Sequence, residues 1–419
     1  MRFEPKPEDE FALFITTYFQ RCQKVCAKLQ AIAGKWRFED LIPGLSDFDT
    51  RFIFESDTSV SDWIQMSIAV GQAHTELARQ HPRWARILEH LPGVNLTHAE
   101  MLDPVLYYPE FQQWTFYGGN QAVLDSIRTY LEEKPWTRRD ELFHLKKFAV
   151  YYGPYQRGID PLVNVGAWEN KYPLHSRFMH YFAPPVQSAV SLVQRRGVCG
   201  KMEALRLARD LFPHPEVIDM VLETVARHYE APEYYAEPRL SEIERTLENY
   251  LYDVYRSLAD HVTLIEVAAE DTPAQLRRKL AQASVDPVEQ FYEGAKFSRF
   301  MKGRLLFYAT NIAWFDTTWL IQTELGRIVT NFYEKPLHAY SVAQFHDHLP
   351  LDAALDRLRG SILPPEVCAG VRRFVGVART HIPEGAEKKQ AHRVAEVFEP
   401  VQWMLELLGA ELRAEGRMT

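Results

Sequence analysis

The stretch Gly44-Leu45-Ser46-Asp47-Phe48-Asp49-Thr50-Arg51-Phe52-Ile53-Phe54 decides how the chain is read. Its first half is rich in turn formers, with Pro43 and Gly44 just ahead of Ser46 and Asp47. Its second half is β-branched and aromatic, which predicts a strand over 50–55. Side chains two apart in a strand share a face, so Asp47 and Asp49 project together while Phe48 points to the core. Arg51 falls on the same face, placed either to meet an anion or to pair with the two carboxylates and hold the turn. Carboxylate oxygens at this spacing suit Mg²⁺, a hard cation that shares its octahedral shell with phosphate oxygens. Ser46 stands where a hydroxyl can brace the turn or bond a phosphate. A solvated turn ahead of a strand is the plain alternative, because Ser, Asp and Gly form turns for conformational reasons alone.

Working outward, apolar residues at helical spacing predict a first helix over 8–32, interrupted by Gly34. After the central strand come a helix over 61–80, a short helix over 84–90 and a strand within 93–101. So few strands make a small α/β unit and argue against a large doubly wound sheet. From about residue 120 onward the long segments carry helical periodicity, including 121–133, 138–151, 201–211, 287–306, 365–378 and 387–408. The expected fold class is therefore α+β, a small mixed-sheet unit followed by a large, mainly helical region. Polar junctions divide it into 1–115, 116–270 and 271–419, the middle part offering a nucleotide or acceptor cleft. The aromatic stretch 114–120 reads as the junction between sheet and helices.

Composition narrows the classes. With 419 residues the chain has ample length for a core, and 46% apolar with 25% charged residues is ordinary for a globular protein. A net charge of -8 disfavours a broad nucleic-acid footprint. Cys22, Cys26, Cys199 and Cys368 form no metal or disulfide pattern, and the polar start MRFEPKPEDE lacks the apolar core of a signal peptide, so the expected setting is the cytoplasm with no membrane span. HExxH and GxSxG are absent, which leaves a zinc hydrolase and a serine hydrolase without support.

The acidic turn and its strand resemble the metal-binding motif of the polymerase-beta-like nucleotidyltransferase superfamily, in the branch with a large helical C-terminal region. That family opens its site with a glycine-serine pair, followed roughly a dozen residues later by two aspartates one residue apart. Here Gly34 precedes Asp47 by 13 positions, and Lys35 stands in the place of the serine. The resemblance implies that Gly34, Lys35 and Ser46 contact a nucleoside triphosphate and that Asp47 and Asp49 hold Mg²⁺. It also implies a third carboxylate from a nearby strand, for which Glu100 is the first candidate and Asp103 the second. Helical regions of such enzymes complete the nucleotide cleft, and Lys201, which follows Gly200 and opens a helix, is the best candidate for that positive charge. The implied reaction moves a nucleoside monophosphate to a small-molecule or protein acceptor and releases pyrophosphate. The alternatives are a catalytically inactive nucleotide-binding or protein-binding regulator, favoured by Lys35, and a helical interaction module with an incidental acidic turn.

Overall fold

The computed structural model describes residues 8–41, 46–84, 87–156, 178–226, 239–261, 287–310, 318–345 and 349–414, with scattered positions between 265 and 279. Helix α1, Glu8–Val25, is followed by strand β1, Leu29–Gly34. The expectation of one helix over 8–32 is corrected here. Leu29, Ala31, Ile32 and Ala33 are buried in a strand with a neighbour on each edge. A strand buried on both faces has no polar alternation to set it apart from a helix.

Strand β2, Thr50–Phe54, pairs antiparallel with β1, and all five of its residues are buried. Strand β3, Val94–Thr97, runs parallel to β2, while β4, Thr115–Gly119, lies antiparallel on the other edge of β1. The described residues thus form a small mixed sheet in the order β3-β2-β1-β4. Parallel neighbours need a crossover, and α2, Val60–Gln80, supplies it. Its start is fixed by a capping box, in which the Ser59 hydroxyl accepts from the Asp62 N–H and Asp62 accepts from the Ser59 N–H. Trp63, Met66, Val70 and Leu77 form its buried stripe.

The strand expected within 93–101 stops at Thr97 because that residue caps a new helix, α3, His98–Leu102. The stretch 114–120 is mostly strand β4 and not a hinge turn. Of the short helix expected at 84–90, Trp84 ends a 3₁₀ turn, Pro82–Trp84, and residues 87–90 are turn and bend, while 85–86 lie outside the described residues.

Beyond β4 the described chain is predominantly helical. In order come α4, Gln121–Glu133; α5, Arg138–Gln156; α6, Ala183–Gln194; α7, Lys201–Leu211; α8, Pro215–Ala226; and α9, Arg239–Ser257. The C-terminal set is α10, Pro287–Ser298; α11, Met301–Ala309; α12, Thr318–Val329; α13, Lys335–Phe345; α14, Leu351–Leu358; α15, Pro365–Ala378; α16, Glu387–Glu396; and α17, Glu399–Ala414. The helix expected over 287–306 divides into α10 and α11, and the break carries Arg299 into the core.

One apolar cluster runs from Phe11 to Leu412 and joins α1, the sheet and α2 to the C-terminal helices. A second, from Phe148 to Leu258, belongs to the middle helices. The segments 1–115 and 271–419 therefore contribute to the same core. They pack tightly at Gly303, where an added Cβ would stand 2.0 Å from the Ser67 carbonyl oxygen, so α11 can cross α2 only with glycine there. Among the described residues, no helix is long and apolar enough to cross a membrane.

Candidate functional site

The β1–β2 register sets Gly34 opposite Thr50, and just beyond it the Lys35 N–H donates to the Asp49 carbonyl at 3.1 Å. The glycine and the acidic turn, 13 residues apart in sequence, are thus neighbours across the sheet. Gly34 is dictated by packing: a Cβ would meet the Phe48 ring at 2.7 Å and the Tyr117 ring at 2.9 Å. Phe48 is buried between the two aspartates, whose side chains remain 25% and 34% exposed. The period-two reading of Asp47, Phe48 and Asp49 therefore describes the turn as it stands. Ser46 is buried at its start, and Gly44 and Leu45 lie outside the described residues.

Asp47 lies 3.9 Å from the His90 ring, and Asp49 lies 3.7 Å from the Arg51 guanidinium. Burial raises the Asp49 carboxyl, but the nearby charges of Arg51, Lys35 and His90 outweigh it and hold the group below its ordinary value. Arg51 is buried and donates to Glu110 through Nε at 3.3 Å and Nη2 at 3.1 Å, so it pairs with carboxylates. Glu110 also accepts from the Trp114 indole at 3.1 Å and lies 3.6 Å from the Lys35 ammonium. This carboxylate escaped the sequence reading, because nothing local marks a residue in the β3–β4 connection as a neighbour of β2.

The helical region brings two more cations. Lys201 is 4% exposed, and its Nζ sits 4.0 Å from the centre of the Trp36 ring. Lys35 and Lys147 approach the same ring at 5.1 and 5.5 Å. Lys147 donates to the side-chain carbonyls of Gln113 and Gln187, both at 3.2 Å. Burial, with the charges of Lys35 and Lys201 adding to it, brings the Lys147 ammonium down to about 7. Burial likewise brings Lys201 down to about 8, although Asp40, Asp47 and Asp49 pull the other way. Lys201 thus shares the field of the acidic turn through its side chain. The N-terminus of α7 is already occupied: Asp40 accepts from the Met202 N–H at 2.8 Å. Trp36 and Lys147 were missed, since neither lies in a motif.

Glu100 has a different job from the one the resemblance implies. Its carboxylate accepts the Thr97 N–H at 2.8 Å and the Arg299 guanidinium at 2.7 and 2.8 Å, so both oxygens are engaged. Asp103, the other candidate, accepts from the Val105 N–H at 2.8 Å. Among the described residues, no group of three or more His, Cys, Asp or Glu is arranged to hold a metal ion. The donor set at the turn is therefore two carboxylates. That number fits a Mg²⁺ ion arriving with a triphosphate, because Mg²⁺ ordinarily keeps waters and phosphate oxygens in its shell.

Other residues singled out in the sequence have structural roles or lie elsewhere. His74 is buried between the Leu88 carbonyl and the Tyr18 hydroxyl, and burial brings it down to about 3. Cys199 donates to the Gln113 carbonyl at 3.3 Å, and all four cysteines are free thiols. The stretches 157–177 and 346–348 lie outside the described residues. No family model, no curated protein and no solved structure matches this chain.

Proposed function

We propose that the lysine cluster around Trp36, with the acidic turn, binds a nucleoside triphosphate and transfers its nucleoside monophosphate to an acceptor, releasing pyrophosphate. The observation that carries this reading is the gathering of Lys35, Lys147 and Lys201 around Trp36, with Asp47 and Asp49 in the field of Lys201 and Asp49 in that of Lys35. Cations held out of water are strong anion partners, and an indole face suits a base or lies beneath the ammonium groups. The position of the acidic turn at the start of β2, beside Gly34, supports the reading drawn from the sequence resemblance.

Lys35, Lys147 and Lys201 would hold the triphosphate oxygens. Asp47 and Asp49 would hold Mg²⁺, which supplies charge neutralisation at the phosphates. An acceptor oxygen donates its lone pair to the α-phosphorus, and the bond to the bridging oxygen breaks with its pair going to pyrophosphate. The acceptor proton passes to a carboxylate of the turn and from there to water.

Titration calorimetry with ATP, GTP, CTP and UTP, each with Mg²⁺, tests the binding. At least one should bind, and Asp47→Asn/Asp49→Asn should remove the Mg²⁺ dependence. Silence with all four nucleotides would refute the reading. A second reading is binding without turnover. It is favoured by Glu100 and Glu110, both neutralised by basic side chains of the chain itself, which leaves two carboxylates at the turn. Tight triphosphate binding with no pyrophosphate release across an acceptor screen identifies that case.

A further inference from the structure

A cavity of about 420 Å³ is walled by α5, α10, α11, α12 and the start of α13. Its basic residues are Lys146, Arg304, Arg327 and Lys335, and its acids are Glu293 and Glu324. Arg304 is paired with Glu324 at 3.1 Å. Lys146, Arg327 and Lys335 are exposed and have no ion pair within the described residues. Four cations against two carboxylates leave an excess of two positive charges, in a chain whose net charge is -8. The floor is apolar, with Phe297, Met301 and Phe332, and Asn331 adds an amide.

Arg304 connects this cavity to the turn. Its Nη1 and Nη2 reach Glu324 and the Leu91 carbonyl, and Asp49 lies within its electrostatic field. At Gly93, just ahead of β3, an added Cβ would stand 3.3 Å from the Arg304 guanidinium and 3.7 Å from that of Arg51. Gly93 thus lies beside both Arg304, which lines the cavity, and Arg51, which lies 3.7 Å from Asp49.

We propose that this cavity is the acceptor site and that the acceptor is a small phosphate monoester, such as a phosphorylated sugar. The inference rests on the transferase reading above. A phosphate monoester carries about two negative charges near neutral pH, which matches the local excess. Arginine presents a planar fork to phosphate oxygens, while lysine acts as a point charge, and both are present here. Glu293 and Asn331 are placed to bond hydroxyl groups on the scaffold, and the volume suits a ligand of that size.

The test uses the full-length protein and calorimetry with ribose 5-phosphate, glucose 1-phosphate, inorganic phosphate and unphosphorylated ribose. At least one sugar phosphate should bind, ribose should not, and Arg327→Gln/Lys335→Gln should weaken that binding at least tenfold. These two side chains are exposed and unpaired, so the melting temperature should hold. ATP affinity should be unchanged in the double variant and should fall at least tenfold in Lys201→Gln. Equal binding of inorganic phosphate and sugar phosphates overturns the acceptor class, and so does loss of ATP affinity in the double variant, which would make the cavity part of the triphosphate site. Sugar phosphate binding that depends on Arg327 and Lys335, without any nucleotide binding, overturns the acceptor role and the transferase reading while leaving an anion site. No binding of any phosphate probe overturns the site itself.

Discussion

Arg299 and Lys201 are both almost fully buried cations, 3% and 4% exposed, and their surroundings are opposite. Arg299 donates to Glu100 at 2.7 and 2.8 Å, to Glu406 at 2.8 and 3.3 Å and to the Asn95 carbonyl at 3.0 Å, with the Trp63 ring 4.5 Å away. One cation meets two carboxylates, and the network is closed. Around Trp36 the arrangement is looser: Lys35 lies 3.6 Å from Glu110, and Asp40, Asp47 and Asp49 act on Lys201 only through their field. Lys35, Lys147 and Lys201 gather on one indole, the partners of Lys147 are neutral amides, and Lys201 makes no ion pair within the described residues. Burying an ammonium without a counter-ion costs stability. The difference separates a node closed by its own carboxylates from a cluster in which Lys147 and Lys201 make no ion pair within the described residues.

The largest effect is expected at the closed node. Arg299→Ala leaves Glu100 and Glu406 without their shared partner, and breaking a buried pair in this way costs about 3–5 kcal/mol. Urea denaturation measures it, and a loss under about 1 kcal/mol would break the comparison. Should the variant fail to fold, Arg299→Met/Glu100→Gln/Glu406→Gln removes all three charges of the network and should recover most of the stability. The node also sets an acid limit. Burial raises the Glu100 carboxyl, but Arg299 and the Thr97 N–H overcome this and hold it below its ordinary value. Its contribution is therefore complete above the unfolded-state value of about 4.3 and is lost as pH falls through the folded value.

An intermediate effect is expected at Gly34. Gly34→Val forces a branched side chain into the Phe48 and Tyr117 rings, which stand within 3.0 Å of the Cβ position. Overpacking of this kind costs about 1–3 kcal/mol. Because Phe48 lies between Asp47 and Asp49, the same change should weaken nucleotide binding by more than the stability loss alone explains. Calorimetry on the folded fraction separates the two effects. Unchanged nucleotide affinity would show that the glycine serves packing alone.

These two sites also show what the sequence made legible. The acidic turn, β2 and α2 were readable because their signals are local: turn formers, a β-branched run, and a helical stripe from Trp63 to Leu77. Strand β1 was hidden because burial on both faces erased its alternation. Glu100 was assigned to the metal because Arg299, its actual partner, lies 199 residues further along the chain. Lys201 was found as the residue opening a helix, yet the helix end is filled by Asp40, 162 residues away from Met202. Glu110 and Lys147 had no signal at all, since chain folding alone brings them beside the turn. Local chemistry located the turn, and long-range packing decided which charges answer it.

The smallest stability change and the sharpest functional one are expected at the lysines. Lys147→Gln and Lys201→Gln each remove a buried ammonium, so stability should be unchanged or slightly higher, while triphosphate affinity should fall at least tenfold, about 1.4 kcal/mol. The pH dependence gives an independent check, and its sign follows from linkage. Lys147 is brought down to about 7 and Lys201 to about 8, while the unfolded chain keeps lysine near 10.4. Between those values the unfolded state binds more protons, so stability rises with pH from about 7 towards 10. Triphosphate binding needs the protonated lysines and should weaken over the same interval. Stability and affinity must therefore move in opposite directions in the wild type, and the slope of each should diminish in Lys147→Gln/Lys201→Gln. Parallel trends would mean that the cluster around Trp36 is neutral or paired, and the contrast with Arg299 would disappear.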